Sequence, residues 1–165
     1  MYKNKSTKYE IDTLDLQILE LLQRDARTPY LDIARKLSVS GGTIHQRMDK
    51  LKKMKIVTGS SINIDYNKLG FGVTIFLGIN VTYSRDIPFV VECVSKLPEV
   101  TELHYTTGDY SLMAKVTCLD ITHFNNFLQT KVQNLDQVRS TQSNICLQTP
   151  ETKHLDLSKF VSNFS

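Results

Sequence analysis

Near residue 57 the apolar residues change their spacing, and the change divides this chain into two parts built on different periods. Upstream, Ile11, Leu14, Ile18, Leu21 and Leu22, then Tyr30, Ile33, Ala34 and Leu37, then Ile44, Met48 and Leu51 recur at helical intervals. Downstream, Val73, Ile75, Leu77, Ile79 and Val81 alternate strictly with Thr74, Phe76, Gly78, Asn80 and Thr82, the period of a strand with one face fully buried. A helical stripe and an alternating strand need different packing partners, and 165 residues suffice for two small domains. The expected organisation is a polar tail over residues 1–10, a helical domain over 11–58 and a linker over 59–70. An α+β domain over 71–148 and a second tail over 149–165 complete it. Within the linker, Ile62 and Ile64 read as a short extended strand, and Asn67-Lys68-Leu69-Gly70 as a turn.

The helical half contains three segments. Asp12 is placed to cap the first, with Asp15 three residues on in a spacing like that of a capping box. Thr28 stands as a cap for the second, with Pro29 at its first position. Ser38-Val39-Ser40 makes a tight turn, and Ser40 caps the third, in which Ile44, Met48 and Leu51 form a narrow apolar stripe. Opposite that stripe lie Gly42, Gln46, Asp49, Lys50 and Lys53, flanked by Thr43, His45 and Arg47. Two helices joined by such a turn, the second rich in amide and cationic donors, read as a helix-turn-helix set to enter a DNA groove. Gly41 and Gly42 in the first turn each cost roughly 1 kcal/mol of helix propensity against alanine, which fits a backbone that must approach a phosphate or base closely.

Charge supports double-stranded DNA as the partner. Residues 1–60 carry 12 Lys and Arg against 7 Asp and Glu, whereas residues 61–165 carry 8 against 10, so the formal net charge of +3 conceals two unlike halves. Positive charge gathered on the helical half is the footprint of phosphate binding, because neutralised phosphates release counterions. The candidate DNA-facing residues are Thr28, Ser40, Gly41, Gly42, Thr43, His45, Gln46, Arg47 and Lys50.

The second half reads as two strand-helix-strand units. After the strand at residues 73–82, Pro88 opens a helix with Phe89, Val90, Cys93, Val94 and Leu97 on its apolar face, ended by Pro98. A strand from about Val100 to Thr107 turns at Gly108-Asp109 into another from Tyr110 to Cys118. Asp120 caps a second helix using Ile121, Phe124, Phe127, Leu128 and Val132, and a last strand runs from about Val138 to Leu147. The order βαββαβ is that of a ferredoxin-like antiparallel sheet with both helices on one face. The other face is then open, with Phe76, Leu103, Tyr105, Met113 and Ile145 as its apolar residues. Such a face calls for a partner, and a two-fold homodimer made through it would set two recognition helices on successive half-sites of a pseudo-palindrome. An alternative cover is the tail from Thr149, through Leu155, Leu157, Phe160, Val161 and Phe164.

Other classes find less support. At 41% hydrophobic and 22% charged residues the composition is that of a globular protein, and neither a secretory leader nor an apolar stretch long enough for a membrane helix is present, so a cytoplasmic protein is expected. Cys93, Cys118 and Cys146 are odd in number and lack paired spacing, which leaves no metal site and no disulfide framework; no cofactor-binding motif occurs.

The combination of the two halves closely resembles the Lrp/AsnC, or leucine-responsive, family of transcriptional regulators. In the first half Asp12-x-x-Asp15-x-x-Ile18-Leu19, Asp25-Ala26-Arg27, Ile33-Ala34, Val39-Ser40 and Arg47-x-x-x-Leu51 carry the likeness. In the second, Leu97-Pro98-Glu99-Val100, Thr107-Gly108-Asp109-Tyr110, Asp120 and Val138-x-x-Thr141-x-Ser143 carry it. The resemblance implies a bacterial or archaeal, nucleoid-associated regulator that dimerises through its sheets, assembles further into forms such as octamers, and responds to an amino acid or related metabolite. It also places the effector near Gly108, Asp109, Tyr110, Ser111, Thr141 and Ser143, where a glycine turn offers backbone donors to a carboxylate.

Three positions depart from the family pattern. Ser111 stands where an acidic residue commonly follows the tyrosine, Lys55 where a glycine usually ends the recognition helix, and Asp136-Gln137 in place of Pro-Gly. A regulator without an effector, acting to organise DNA, is one alternative. An enzyme resembling the siroheme decarboxylases is the other, with His104, His123, Lys115 and Arg139 as its candidate residues. No nucleophile and base are paired in the sequence, and a non-enzyme is expected.

Overall fold

The computed structural model describes residues 11–157 and 159. The chain divides into two compact units, one comprising the residues up to Asn63 with the segment from Thr152, the other Ile64–Glu151.

The first unit holds three helices, α1 (Thr13–Arg24), α2 (Tyr30–Leu37) and α3 (Gly41–Lys53). Asp12 accepts from the Asp15 N–H at 3.0 Å while the Asp15 carboxylate accepts from the Asp12 N–H at 3.3 Å, a complete capping box. At α2 the expected cap differs. Pro29 occupies the cap position and makes no side-chain bond, so Thr28 lies one residue too early, and its hydroxyl instead donates to the Asp25 carbonyl at 2.8 Å. Ser40 caps α3 as expected, accepting from the Thr43 N–H at 3.1 Å.

The ends of α2 and α3 share one device. Ser38 and Lys55 both take left-handed backbone conformations, with φ of 55° and 56°. After α3 the Lys55 N–H reaches the Lys52 carbonyl and the Ile56 N–H the Leu51 carbonyl, the paired bonds of a Schellman ending. Lys55 therefore does the work of a glycine, and the helix stops where a glycine would have stopped it. Ile18, Ile33, Ile44 and Leu51 are fully buried at the centre of the unit, with Ile11, Leu16, Ala34 and Met48 around them. Leu157 packs against this same core and not over the sheet, which corrects the alternative cover for that residue; Phe160, Val161 and Phe164 lie outside the described residues. The strand expected at Ile62 and Ile64 does not form either. Residues 59–64 pair with no strand, and both isoleucines are exposed.

The second unit is βαββαβ: β1 (Val73–Val81), α4 (Ile87–Ser95), β2 (Val100–Tyr105), β3 (Leu112–Cys118), α5 (Ile121–Phe127) and β4 (Val138–Cys146), with a π-helical turn at Leu128–Val132 continuing α5. The sheet is antiparallel in the order β2-β3-β1-β4. Ile75, Leu77 and Ile79 are fully buried with Val90, Val94, Leu112, Val116 and Phe127, so the core lies between one sheet face and the helices. Phe89 and Ile121, read as core-facing, are instead about half exposed. Both stand in the first turn of their helices, where the chain is only arriving at the sheet.

Register corrects the makeup of the open face. Directly paired residues share a face. Phe76 pairs with Lys115 and Asn144, Gly78 with Met113 and Gln142, and His104 with Met113. Leu103, however, pairs with the core residue Ala114, Tyr105 with Leu112, and Ile145 with Ile75, which puts all three on the helix side. The cause in β2 is a bulge between Val100 and Glu102, which lets Val100 and Leu103 both face the core where strict alternation would separate them. The open face is thus mostly polar, with Phe76 and Met113 near its centre.

Candidate nucleic-acid interface and effector region

Helix α3 presents Gly42, His45, Gln46, Asp49 and Lys53 to solvent, while Ile44, Met48 and Leu51 anchor its other side. The Ser40 and Thr43 hydroxyls stand 2.9 Å apart at its N-terminus, and Gly42 follows directly. His45 is held by an edge-to-face contact with Tyr30 of α2, ring centroids 4.9 Å apart. The two glycines part company here. A Cβ on Gly41 would come within 3.1 Å of Leu31, so its smallness serves the packing of α3 against α2. A Cβ on Gly42 would meet nothing closer than 3.7 Å, so packing within the protein does not require that glycine. Thr28 stands apart from α3, bonded within its own turn.

Arg47 and Lys50 turn back onto α1. Arg47 bonds Asp12 at 2.5 Å and both Asp15 oxygens at 3.3 Å, and the Lys50 ammonium lies 3.0 Å from Asp15. Asp15 itself is completely buried. Burial pushes the Asp12 carboxyl up, yet the Asp15 amide and the Arg47 guanidinium outweigh it and hold Asp12 below the usual carboxylate range. Bonding to Asp12 correspondingly raises Arg47.

In the second unit Gly108 takes a φ of 105°, and the hairpin closes through the Thr106 hydroxyl donating to the Tyr110 carbonyl at 2.8 Å. The Tyr110 ring crosses the open face directly over Gly78, where a Cβ would sit 2.6 Å from it, and the Tyr110 hydroxyl donates to the Gln142 side-chain oxygen. Asp109 is exposed, and Ser111 accepts from the Val81 N–H at 3.3 Å. Thr141 and Ser143 pair with the core residues Ile79 and Leu77, hence lie on the helix side, and Thr141 accepts from Gln133 at 2.8 Å. The expected effector residues are therefore divided. Tyr110 shares the open face with Gln142, a residue the sequence did not single out, because only the β1–β4 register brings it beneath the tyrosine.

Residues 11–52 match the family described as the AsnC-type helix-turn-helix domain, and residues 74–154 match the Lrp/AsnC ligand binding domain. The regulatory protein AsnC of Escherichia coli strain K12 is 42% identical over 142 residues, covering 86% of this chain and 93% of that one. The chain belongs to the Lrp/AsnC family. It is a DNA-binding transcriptional regulator, and α1 to α3 make up its AsnC-type helix-turn-helix domain. AsnC of Haemophilus influenzae is 40% identical over 86% of this chain and 95% of its own. The solved structure of Escherichia coli AsnC superposes with a TM-score of 0.82 at 40% identity, covering 88% of this chain and 97% of that one. The fold is shared with a Neisseria meningitidis transcriptional regulator solved with L-methionine, TM-score 0.81 at 21% identity, covering 88% of this chain and 94% of that one.

Two further ion-pair clusters lie in the Lrp/AsnC ligand-binding unit. Glu102 accepts from Lys115 at 2.9 Å with His104 3.5 Å away. Glu99, buried, accepts from Lys131 at 2.5 Å and lies 3.3 Å from His123 Nε2. The His123 ring takes the Leu119 N–H on Nδ1, so its proton sits on Nε2 facing the carboxylate. Burial raises the Cys118 thiol to about 11, with Glu99 adding to the effect, so it stays protonated and unreactive at neutral pH. The four residues expected for a decarboxylase do not converge. His104 and Lys115 share Glu102, His123 belongs to Glu99, and Arg139 is exposed on β4. Among the described residues no helix is long and apolar enough to cross a membrane, and no cluster of His, Cys, Asp or Glu is disposed to hold a metal.

Proposed function

We propose that this regulator acts as a homodimer on pseudo-palindromic DNA and changes its binding in response to an amino acid. The observation that carries the reading is α3, which is capped by Ser40, stripped of side chains at Gly42, and exposes Gln46 and His45 beyond them. N-terminal residues of a recognition helix are those that meet base edges. Ser40, Gly41, Gly42, Thr43, His45 and Gln46 form the reading surface, and Thr28, Arg47 and Lys50, each bonded back within the protein, stand outside it. The dimer forms sheet to sheet through the face holding Phe76 and Met113, and higher assemblies such as octamers build on it. Phe76 is 42% exposed at the centre of a sheet that helices cover on one side only.

The effector binds beside the Gly108–Ser111 turn, with Tyr110 and Gln142 on the open face; Thr141 and Ser143, on the helix side of the same strand, stand outside this group. Support comes from the ligand-binding family match and from the related regulator that was solved holding L-methionine. The scattering of His104, His123, Lys115 and Arg139, together with relatives that are named regulatory proteins, favours a regulator over an enzyme.

Capture of genomic fragments by the purified protein, with and without a panel of amino acids and with light scattering alongside, tests the whole reading. A pseudo-palindromic site whose affinity shifts with one amino acid is the expected result, and Gln46→Ala should then relax base preference by about 1 to 3 kcal/mol. Phe76→Glu should give monomers. Capture without sequence preference would leave only a DNA-organising role, and an unchanged assembly size would remove the sheet interface.

A further inference from the structure

A recognition helix needs positive charge to find DNA, yet two of the cations on α3 are already engaged. Arg47 bridges Asp12 and Asp15, and Lys50 lies 3.0 Å from Asp15. These four groups sum to no net charge. Their separations, 2.5 to 3.3 Å, are far below the roughly 8 Å screening length at physiological salt, so a phosphate outside the cluster meets a compensated group and not two free cations. The arrangement is fixed, because Asp15 is completely buried and a buried carboxylate keeps its partners. It is also braced from within α1. The capping box at the start of α1 holds both carboxylates on the side where Arg47 and Lys50 meet them.

We propose that Asp12 and Asp15 are specificity determinants of DNA binding: by compensating Arg47 and Lys50 they suppress sequence-blind attraction to phosphate and leave discrimination to the amide, hydroxyl and imidazole groups of α3. Sequence-independent binding draws its affinity from counterions released by unpaired cations, so each compensated cation removes a share of that term. Base recognition by Gln46, Thr43 and His45 does not depend on that share. The ratio of specific to random binding rises accordingly, and that ratio, not bare affinity, decides where a regulator sits on a genome.

The test is the salt dependence of binding to a random-sequence duplex of about 30 base pairs, between about 50 and 200 mM salt. Asp12→Asn is the first variant, because asparagine caps a helix as well as aspartate does and Asp15 stays in place. It should bind the random duplex several-fold more tightly at the lower salt and steepen the log–log slope by up to about 0.9, the value for one released cation. The second measurement separates compensation from a change in overall charge. Arg47→Gln should change the slope little in the native background and by up to about 0.9 in the Asp12→Asn background, where Asp15 alone no longer balances Arg47 and Lys50 and the cluster carries one net positive charge. A scaffold that merely held α1 against α3 would alter stability and leave these slopes alone. Equal slope losses from Arg47→Gln in both backgrounds would show that Arg47 already meets phosphate and would overturn the proposal. So would Asp12→Asn binding random DNA no more tightly than the native protein.

Discussion

Among the described residues each unit of this regulator buries one carboxylate, and the two are satisfied in different ways. Asp15 in the helical unit receives the Asp12 N–H through the local capping box, then Arg47 and Lys50 from α3. Glu99 in the sheet unit has side-chain partners only from far along the chain, Lys131 and His123, and both meet the same oxygen; Oε2 is buried without a partner among the described residues. The contrast extends to the units as a whole. Caps and left-handed endings within a few residues of each helix define the helical unit, whereas the sheet unit depends on register between strands far apart in sequence. Asp15 is thus held in part by its own helix end, and Glu99 chiefly by side chains that come from elsewhere in the sequence.

The largest expected effect tests that difference directly. Asp15→Ala removes a fully buried carboxylate that accepts the Asp12 N–H and pairs Arg47 and Lys50, and losing these charge-assisted bonds costs about 2 to 4 kcal/mol. Glu99→Ala removes a carboxylate that already has one oxygen unpaired, and about 1 to 3 kcal/mol is expected. Amide hydrogen exchange resolved by unit should show the first loss confined to α1–α3 and the second to the sheet. Equal costs would dissolve the comparison. Acid adds a second readout. Burial pushes the Glu99 carboxyl up, but Lys131, the Glu99 amide and His123 hold it below its ordinary value. The stability it supplies is therefore fully present above the unfolded carboxylate pKa of about 4.3 and is lost as pH falls through the lower folded value. Glu99→Gln should flatten that acid limb in the sheet unit and leave the helical unit unchanged.

The same contrast explains what could be read from the sequence. The capping box, the Ser40 cap and the buried stripe of α3 follow from residues within one or two turns of each other and were legible, whereas the start of α2 fell one residue later than Thr28 and Pro29 suggested. So was the βαββαβ order, since strict alternation in β1 and the Asp120 cap are local signals as well. The open face was not, because one bulge at Thr101 reverses the side on which Leu103 and Tyr105 stand, and nothing in the residues Val100 to Glu102 announces it. Within the candidate sites, the exposure of Gly42, His45 and Gln46 on α3 was legible, but the engagement of Arg47 and Lys50 was not. Their helical positions mark them as outward flanks, and only the docking of α1 turns them inward. Gln142 was missed for a like reason, its place under Tyr110 being set by the pairing of β1 with β4.

A middle-sized effect probes the long-range side. Gly78 lets the Tyr110 ring lie flat on the open face, and an added Cβ would stand 2.6 Å from it. Gly78→Ala should therefore lift Tyr110 from the sheet and break its bond to Gln142, at a cost of about 1 to 3 kcal/mol from overpacking. Tyr110→Ala in the same background should recover much of that loss, and thermal melting of the four variants in a cycle measures it. Additive costs would mean that the tyrosine does not rest on Gly78 in solution.

The smallest effect sharpens the local side. Lys55 occupies a left-handed conformation that costs an L-residue roughly 1 to 2 kcal/mol, and its bonds to the end of α3 are backbone only. Lys55→Gly removes that strain, while the greater freedom of glycine in the unfolded chain returns about 0.5 to 1 kcal/mol. A net gain near 0.5 kcal/mol is expected, read as a small rise in the melting temperature of the helical unit. The gain should persist in the Asp15→Ala background, because a Schellman ending depends on the last turn of its own helix and not on how α1 is held. If the gain vanished there, the termination of α3 would depend on tertiary docking, and the division between a locally specified unit and a register-specified one would fail at the residue where it is most exposed to test.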